Sequence, residues 1–140
     1  ARRELGADIG DMMLHAAAAS GVMLPMAWVS IYKAEQAGGV WANGTCVLHG
    51  SGEAWDPDGA FAPTVTRTGA GIFTVDYPAT TVDKDGNTVP INFRGALLTQ
   101  LPAAASACSQ WVNWLARPIL IETFVGAGLA DPDLLCLVLL

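Results

Sequence analysis

The chain has 140 residues, enough for one domain with its own core, and it is 52% hydrophobic but only 14% charged. Ordinary domains carry about 25% charged residues, so a partner, a symmetry mate or a membrane is expected to cover apolar surface, with a well-packed monomer as the alternative. The net charge of −6 and the scattered basic residues argue against nucleic-acid binding, because phosphate contacts need clustered Lys and Arg.

Residues 1–25 are predicted to form an N-terminal arm, helical or extended, that precedes a domain over residues 26–140. Its apolar residues recur at helical steps of three and four and are followed by an alanine run: Leu5, Ile9, Met12, Met13 and Ala16. Gly6 and Gly10 weaken such a helix by about 1 kcal/mol each relative to alanine. The helix therefore needs a surface to lie against, either its own domain's core or a neighbouring subunit.

Features of the N-terminal sequence predict the cellular compartment in which the protein is made. The uncharged run from Met12 to Tyr32 is interrupted by His15 and Pro25, so we predict no membrane span. Asp8 and Asp11 stand where a secretory signal forbids acids. Since Ala1 is what removal of an initiator methionine would leave, we expect a natural N-terminus and synthesis in a reducing cytoplasm.

From Ala27 onward the pattern is that of short strands separated by turn residues. The predicted strands are AWVSIYK, GTCVLHG, TVTRT, GIFTVDYP, VPINF, ALLTQL, PILIETFV and LLCLVLL. The stretches DPDG and DGN are turn and hairpin signals. This series predicts an all-β fold, an antiparallel sandwich or barrel. Only the segment 103–116 interrupts it, and the spacing of Trp111 and Trp114 predicts either a helix or a loop that packs both rings on the core.

The hairpin VTRTGAGIFTVDY makes a more detailed prediction. Gly69 and Gly71 permit a positive φ or a bulge in the turn. The alternation places Phe73, Val75 and Tyr77 on one face, which we expect in the core, with the residues between them facing outward.

The sequence contains only weak signals for a catalytic or metal-binding site. The aspartates at 56, 58, 83 and 85 lie in turns, where a carboxylate commonly caps its own backbone. Cys46 and His49 would point to opposite faces of a strand, and HGSGE lacks the strand-turn-helix frame of a serine nucleophile and is interpreted as a loop. The three cysteines, Cys46, Cys108 and Cys136, contain no C-x-x-C pair, so buried thiols are expected. We predict no metal, no cofactor and no enzymatic activity.

Five tryptophans remain as candidates for contact: Trp28, Trp41, Trp55, Trp111 and Trp114. They could stack on sugar rings, but core and interface packing is favoured, because polar partners nearby in the sequence are few. Trp55 lies beside DPDG, where a loop tip would expose it.

Three blocks of the sequence resemble β-sandwich proteins of tailed-bacteriophage virions, which serve as capsid cement or decoration proteins and as tail-fibre modules. AWVSIYK with GTCVLHGSG resembles the opening strand of that family, A-W-V-x-F. VTRTGAGIFTVDY is similar to its hairpin V-T-R-x-G-x-G-x-F/Y-T-V. RPILIETFVGAGLADPDLLCLVLL resembles its closing hairpin, with an L-x-D-x-D-L segment before the last strand.

The resemblance implies a jelly-roll-like sandwich without catalysis. It implies a structural protein on the capsid exterior that binds the major capsid protein, is made in the bacterial host cytoplasm and forms a dimer or trimer. The predicted partner interface comprises Leu5, Ile9, Met12, Met13, Trp41 and Trp55. The alternative is a receptor- or carbohydrate-binding tail-fibre module in which Trp41 and Trp55 face a glycan. A hydrolase on the same scaffold is a third possibility, against which the missing acid or metal cluster argues.

Overall fold

A computed structural model describes Met12 and residues 25–55 and 63–140, and these residues form an all-β protein whose strand pairs are antiparallel. The strands are β1 (Ala27–Tyr32), β2 (Gly44–Thr45), β3 (Gly50–Glu53), β4 (Thr64–Gly69), β5 (Ile72–Asp76), β6 (Thr80–Val82), β7 (Thr88–Pro90), β8 (Ala96–Pro102), β9 (Cys108–Asn113), β10 (Ile119–Val125), β11 (Gly128–Leu129) and β12 (Pro132–Leu139). Two short 3-10 turns, Lys33–Glu35 and Ala37–Gly39, follow β1.

The strands form two main sheets that share one core. The first sheet has the order β3-β1-β12-β8, and the second has the order β11-β10-β5-β4-β2, with β9 on the other side of β10. Alternate residues of β1 and β12 from the first sheet meet β4, β5 and β10 of the second in a single buried cluster. The all-β antiparallel fold predicted from the sequence is thus confirmed, whereas the jelly-roll connectivity stays a prediction.

The hairpin of β4 and β5 forms as its sequence predicts. Phe73, Val75 and Tyr77 are buried, while Asp76 is exposed. Gly71 has a φ of +69°, and the register between β4 and β5 shifts at Gly69 as a bulge. A Cβ on Gly71 would lie 2.6 Å from the carbonyl oxygen of Thr123, so this turn sits directly against the β10 backbone.

Several predicted strands occupy different residues. The segment around Cys46 and Leu48 was expected to be a strand and HGSGE a loop, but β2 ends at Thr45 and the strand lies at Gly50–Glu53. Both expectations were wrong because β1 forms a ladder with Gly50–Glu53, which satisfies the backbone groups of a segment with little strand propensity of its own.

The prediction of a helix or loop over 103–116 is wrong for the middle of this segment, whereas residues 103–107 and 114–116 do form loops and Trp114 packs against the core as expected. Cys108–Asn113 is the strand β9, which pairs with β10 through six residue pairs from Leu120↔Asn113 to Val125↔Cys108. The period of two places Trp111 toward solvent and Val112 against the core. Tertiary pairing overrides the helical spacing of the tryptophans.

The predicted closing hairpin is divided between the two sheets. Gly128–Leu129 pairs back on the end of β10, and the chain then crosses so that β12 joins the other sheet between β1 and β8. Asp131 lies at this crossing and forms an ion pair with Arg67 of β4. The hairpin of β4 and β5 and the predicted closing hairpin therefore meet at this ion pair.

Candidate interaction surface

The outer side of the four-stranded sheet is predominantly apolar. In β12 the side chains of Leu135, Leu137 and Leu139 are buried in the core, so the period of two turns the residues between them outward. The same alternation applies to β1 and β8. We call this outer side the apolar face; its residues are Trp28, Ser30, Tyr32, Leu97, Thr99, Leu101, Leu134, Cys136 and Val138.

The pairing register aligns these residues in three rows across β1, β12 and β8. The first row is Trp28, Val138 and Leu97, the second is Ser30, Cys136 and Thr99, and the third is Tyr32, Leu134 and Leu101. Among the described residues, none of the side chains in these rows is charged. The outside of this sheet therefore consists of apolar and small polar residues.

Three large apolar side chains of this face are exposed. Trp28 is 44% exposed, Leu97 59% and Leu101 52%. Single exposed apolar residues are normal on a protein surface, whereas a contiguous apolar patch marks an interaction site. The rows make this patch contiguous, because residues opposite each other on neighbouring strands have Cβ atoms about 5 Å apart.

Trp28 lies flat across the neighbouring strand β3. A Cβ built on Gly52, which is opposite Trp28 in the register, would lie 2.0 Å from the indole ring. The ring thus occupies the space that a side chain at position 52 would need. Gly52 is what allows the apolar face to extend over β3.

A polar cluster borders the face at the third row. The ring of His49 stacks on Tyr32 with 3.8 Å between centroids, and its Nδ1 lies 2.7 Å from Oε1 of Glu35. An apolar centre with a polar rim is the usual anatomy of a protein interface.

The outer side of the second sheet is more polar. Thr66, Thr74 and Leu120 form one of its rows, and Ile72 lies opposite Glu122 in another. Its strands also carry the exposed Asp76. Trp111, which is 47% exposed, lies opposite Glu122 on this side, so the second sheet mixes apolar with charged residues, whereas the apolar face carries no charge.

The titratable residues that sequence reasoning considered have structural contacts. The Asp83 carboxylate accepts hydrogen bonds from the backbone N–H groups of Asp85 and Asn87 and so caps its own hairpin, as predicted. Burial raises the pKa of the Cys46 thiol, whereas His49 is exposed. The expectation of buried thiols is wrong for Cys108, which is exposed, and for Cys136, which is half-buried. Asp56 and Asp58 lie outside the described residues. Within residues 25–55 and 63–140, His, Cys, Asp and Glu side chains form no group of three that could hold a metal ion.

One buried polar cluster lies inside the sandwich. Glu53 is buried near Tyr77, and burial, followed by the charge of Glu53, raises the pKa of the Tyr77 hydroxyl above its usual range. The rings of Trp55, Tyr77 and Phe93 contact each other at 5.8 to 6.4 Å between centroids.

The predicted interface residues have different environments. The expected exposure of Trp55 is wrong, because its ring packs on Tyr77 and Phe93 and is only 9% exposed. Trp41 is half-buried, with its edge on Phe73 and its Nε1 donating to the carbonyl of Pro132 at 2.8 Å. Met12 is 70% exposed. The other three, Leu5, Ile9 and Met13, lie outside the described residues.

Comparisons with known proteins add no assignment: no family model, curated protein or solved structure matches the chain. In the part of the chain that the structure describes, no helix is long and apolar enough to cross a membrane.

Proposed function

We propose that the protein is a structural virion protein that cements or decorates a bacteriophage capsid. It would sit on the capsid exterior as a homo-oligomer and stabilise contacts between major capsid subunits, without catalysis or a cofactor. The apolar face is the observation that carries the proposal, and the three blocks that resemble phage virion sandwiches supply the class of assembly.

The size of the apolar face supports a cooperative role. Four strands about 4.8 Å apart and three rows about 7 Å apart give, with their side chains, on the order of 350 Å². Stable interfaces bury about 800 Å² on each partner, so a single contact of this size is weak.

Repetition on a shell compensates for this weakness. When many copies bind at once, avidity raises the effective affinity by about 10² to 10⁴ without any new contact. A small sandwich with one modest apolar face is therefore adequate for a protein that acts in many symmetric copies.

The test is binding to empty shells of the same virus by co-sedimentation. We expect Leu97→Asp to weaken shell binding at least tenfold, because it places a charge in the apolar face. Position 97 is 59% exposed on the edge strand β8, so the change should leave the fold intact. Thr68→Asp, an exposed position on the other sheet, is the matched control. Shell binding by Leu97→Asp equal to that of the wild type would contradict the proposal.

A further inference from the structure

We propose that Asn43 is a deamidation site, and that the aspartate formed there binds the guanidinium of Arg67 together with Asp131. This inference goes beyond the proposed function and is independent of it, because it depends on the chemistry of one side chain and not on a partner. It has three supports: the residue that follows Asn43, the space around that residue, and the contact between Asn43 and Arg67.

Asn43 is the one asparagine of the chain that precedes a glycine. Deamidation begins when the backbone nitrogen of the following residue attacks the carbon of the side-chain amide, and a side chain on that following residue hinders the attack. Glycine has no side chain and is conformationally permissive. The other three asparagines, at positions 87, 92 and 113, precede Thr88, Phe93 and Trp114. The sequence therefore favours Asn43 as the reactive position.

The structure leaves room for the attack. Asn43 is exposed, and a Cβ built on Gly44 would meet no atom within 4 Å beyond its chain neighbours. Gly44 has a φ of +123°, a conformation that residues with a side chain rarely adopt. It belongs to β2, a strand of two residues that pairs with β4 at the edge of the second sheet. Because so short an edge strand opens locally at little cost, the Gly44 nitrogen becomes available for the reaction.

Arg67 supports the reaction at the amide oxygen. Its Nη1 donates to Oδ1 of Asn43 at 2.6 Å. Negative charge develops on this oxygen during the attack, and a positively charged donor that is already in place stabilises it. The guanidinium is held there by Asp131, whose carboxylate accepts hydrogen bonds from Nε and Nη2.

Water is the only co-reactant that the chemistry requires. A bond forms between the Gly44 nitrogen and Cγ of Asn43, the Cγ–Nδ2 bond breaks, and the amide proton of Gly44 leaves with Nδ2 as ammonia. Water then opens the cyclic imide. Cleavage of the new bond to Cγ gives aspartate, whereas cleavage of the original peptide bond gives isoaspartate, which lengthens the backbone by one carbon.

The aspartate product has a partner in place. One of its carboxylate oxygens takes the position of the amide oxygen against Nη1 of Arg67, and a hydrogen bond between two charged groups is shorter and stronger than one to a neutral acceptor. Arg67 then lies between two carboxylates, one at position 43 and one at Asp131. The modification adds a negative charge and strengthens the contact between the residue before β2 and the crossing between the sheets.

Peptide mass spectrometry of the full-length chain tests the site. The folded chain is incubated for weeks at neutral pH and physiological temperature, and trypsin then separates position 43 from the other asparagines, because Lys33 and Arg67 are the nearest cleavage sites. We expect the mass increase from exchange of NH2 for OH to appear at position 43 at least tenfold faster than at positions 87, 92 and 113. Asn43→Gln is the matched control and should stay unmodified, because its longer side chain forms a cyclic imide far more slowly.

Two results would overturn the assignment of the site. One is an equal rate of mass increase at all four asparagines of the folded chain. The other is an unmodified Asn43 in the folded chain after the guanidinium-unfolded chain has reacted at this position.

A double variant tests whether Arg67 binds the product. Asp131→Asn removes the carboxylate that now holds the guanidinium, and Asn43→Asp supplies the one that deamidation would form. We expect Asn43→Asp to restore at least half of the loss in the urea midpoint that Asp131→Asn causes. Ala42→Asp, at the exposed preceding position, is the control, since its carboxylate carries the same charge without the contact to Nη1. An effect of Asn43→Asp no greater than that of Ala42→Asp would show that Arg67 does not bind the aspartate.

Discussion

Arg67 of β4 forms an ion pair with Asp131, which lies in the connection between β11 and β12. The guanidinium Nε and Nη2 donate to the two carboxylate oxygens at 3.1 and 2.7 Å, and the N–H of Gly71 donates to Oδ1 at 2.8 Å. Partial burial alone would raise the pKa of Asp131. The hydrogen bonds from Arg67 and Gly71, with the positive charges of Arg67 and Lys33, outweigh it and hold the pKa below its usual range. The contact fixes the β4–β5 turn to the crossing between the sheets.

Asp131→Asn tests the energetic value of this contact. We expect the free energy of unfolding to fall by about 1 to 3 kcal/mol at pH 7, because a half-buried guanidinium loses its charged acceptor. A carboxyl whose pKa is lowered on folding stabilises the protein above its unfolded pKa, about 3.9, and loses that contribution as the pH falls through the folded value. The difference from the wild type should therefore shrink below about pH 4.

Urea unfolding at several pH values measures this difference. Asp133→Asn, two residues along and outside the Arg67 contact, is the control and should change the unfolding free energy little. A difference between Asp131→Asn and the wild type that is independent of pH would show that the ion pair does not stabilise the fold.

For individual residues, the sequence predicted the local conformation at the β4–β5 turn but not the ion pair between Arg67 and Asp131. The positive φ at Gly71 was foreseeable, because a tight turn between two strands favours glycine. The pairing of Arg67 with Asp131 joins residues 64 positions apart. Only the arrangement of the two sheets brings them together, and nothing in the local pattern encodes that arrangement.

Among the elements, the strands with their own alternation and propensity were predictable. β1, β5 and β10 are rich in β-branched and aromatic residues and form where their sequences indicate. β3 reads GSGE and has almost no strand propensity, so β1 must supply the ladder that defines it. Its glycines then have a role of their own, because Gly52 makes room for Trp28.

Gly52→Ala tests that role. The new Cβ would force the indole of Trp28 off β3, and we expect a loss of about 1 kcal/mol in unfolding free energy together with greater accessibility of Trp28 to acrylamide quenching. Gly50→Ala on the same strand is the matched control, because its Cβ would lie 3.7 Å from the Ser30 Oγ, an ordinary contact. It should be neutral or stabilise by up to about 1 kcal/mol, since glycine in a strand is entropically costly. Equal stability of the two variants would show that Trp28 does not need this space.

For the whole molecule, the low charge of the sequence indicated apolar surface but not its position. The predicted contacts were the N-terminal stripe, Trp41 and Trp55. The apolar face was missed because its rows combine β1, β8 and β12, which are far apart in the chain. The sequence LLCLVLL was recognisable as a strand. Which of its alternate side chains face outward depends on the sheet that the strand joins.

The alkylation rate of Cys136 tests most directly whether protein covers the apolar face in the assembled state. The full-length chain is treated with iodoacetamide when free and dilute and when bound to shells, and each rate is compared with that of the urea-unfolded chain. Coverage of the middle row predicts that Cys136 in the shell-bound protein reacts at least tenfold more slowly than in the dilute chain. Equal rates in the two states would contradict the account.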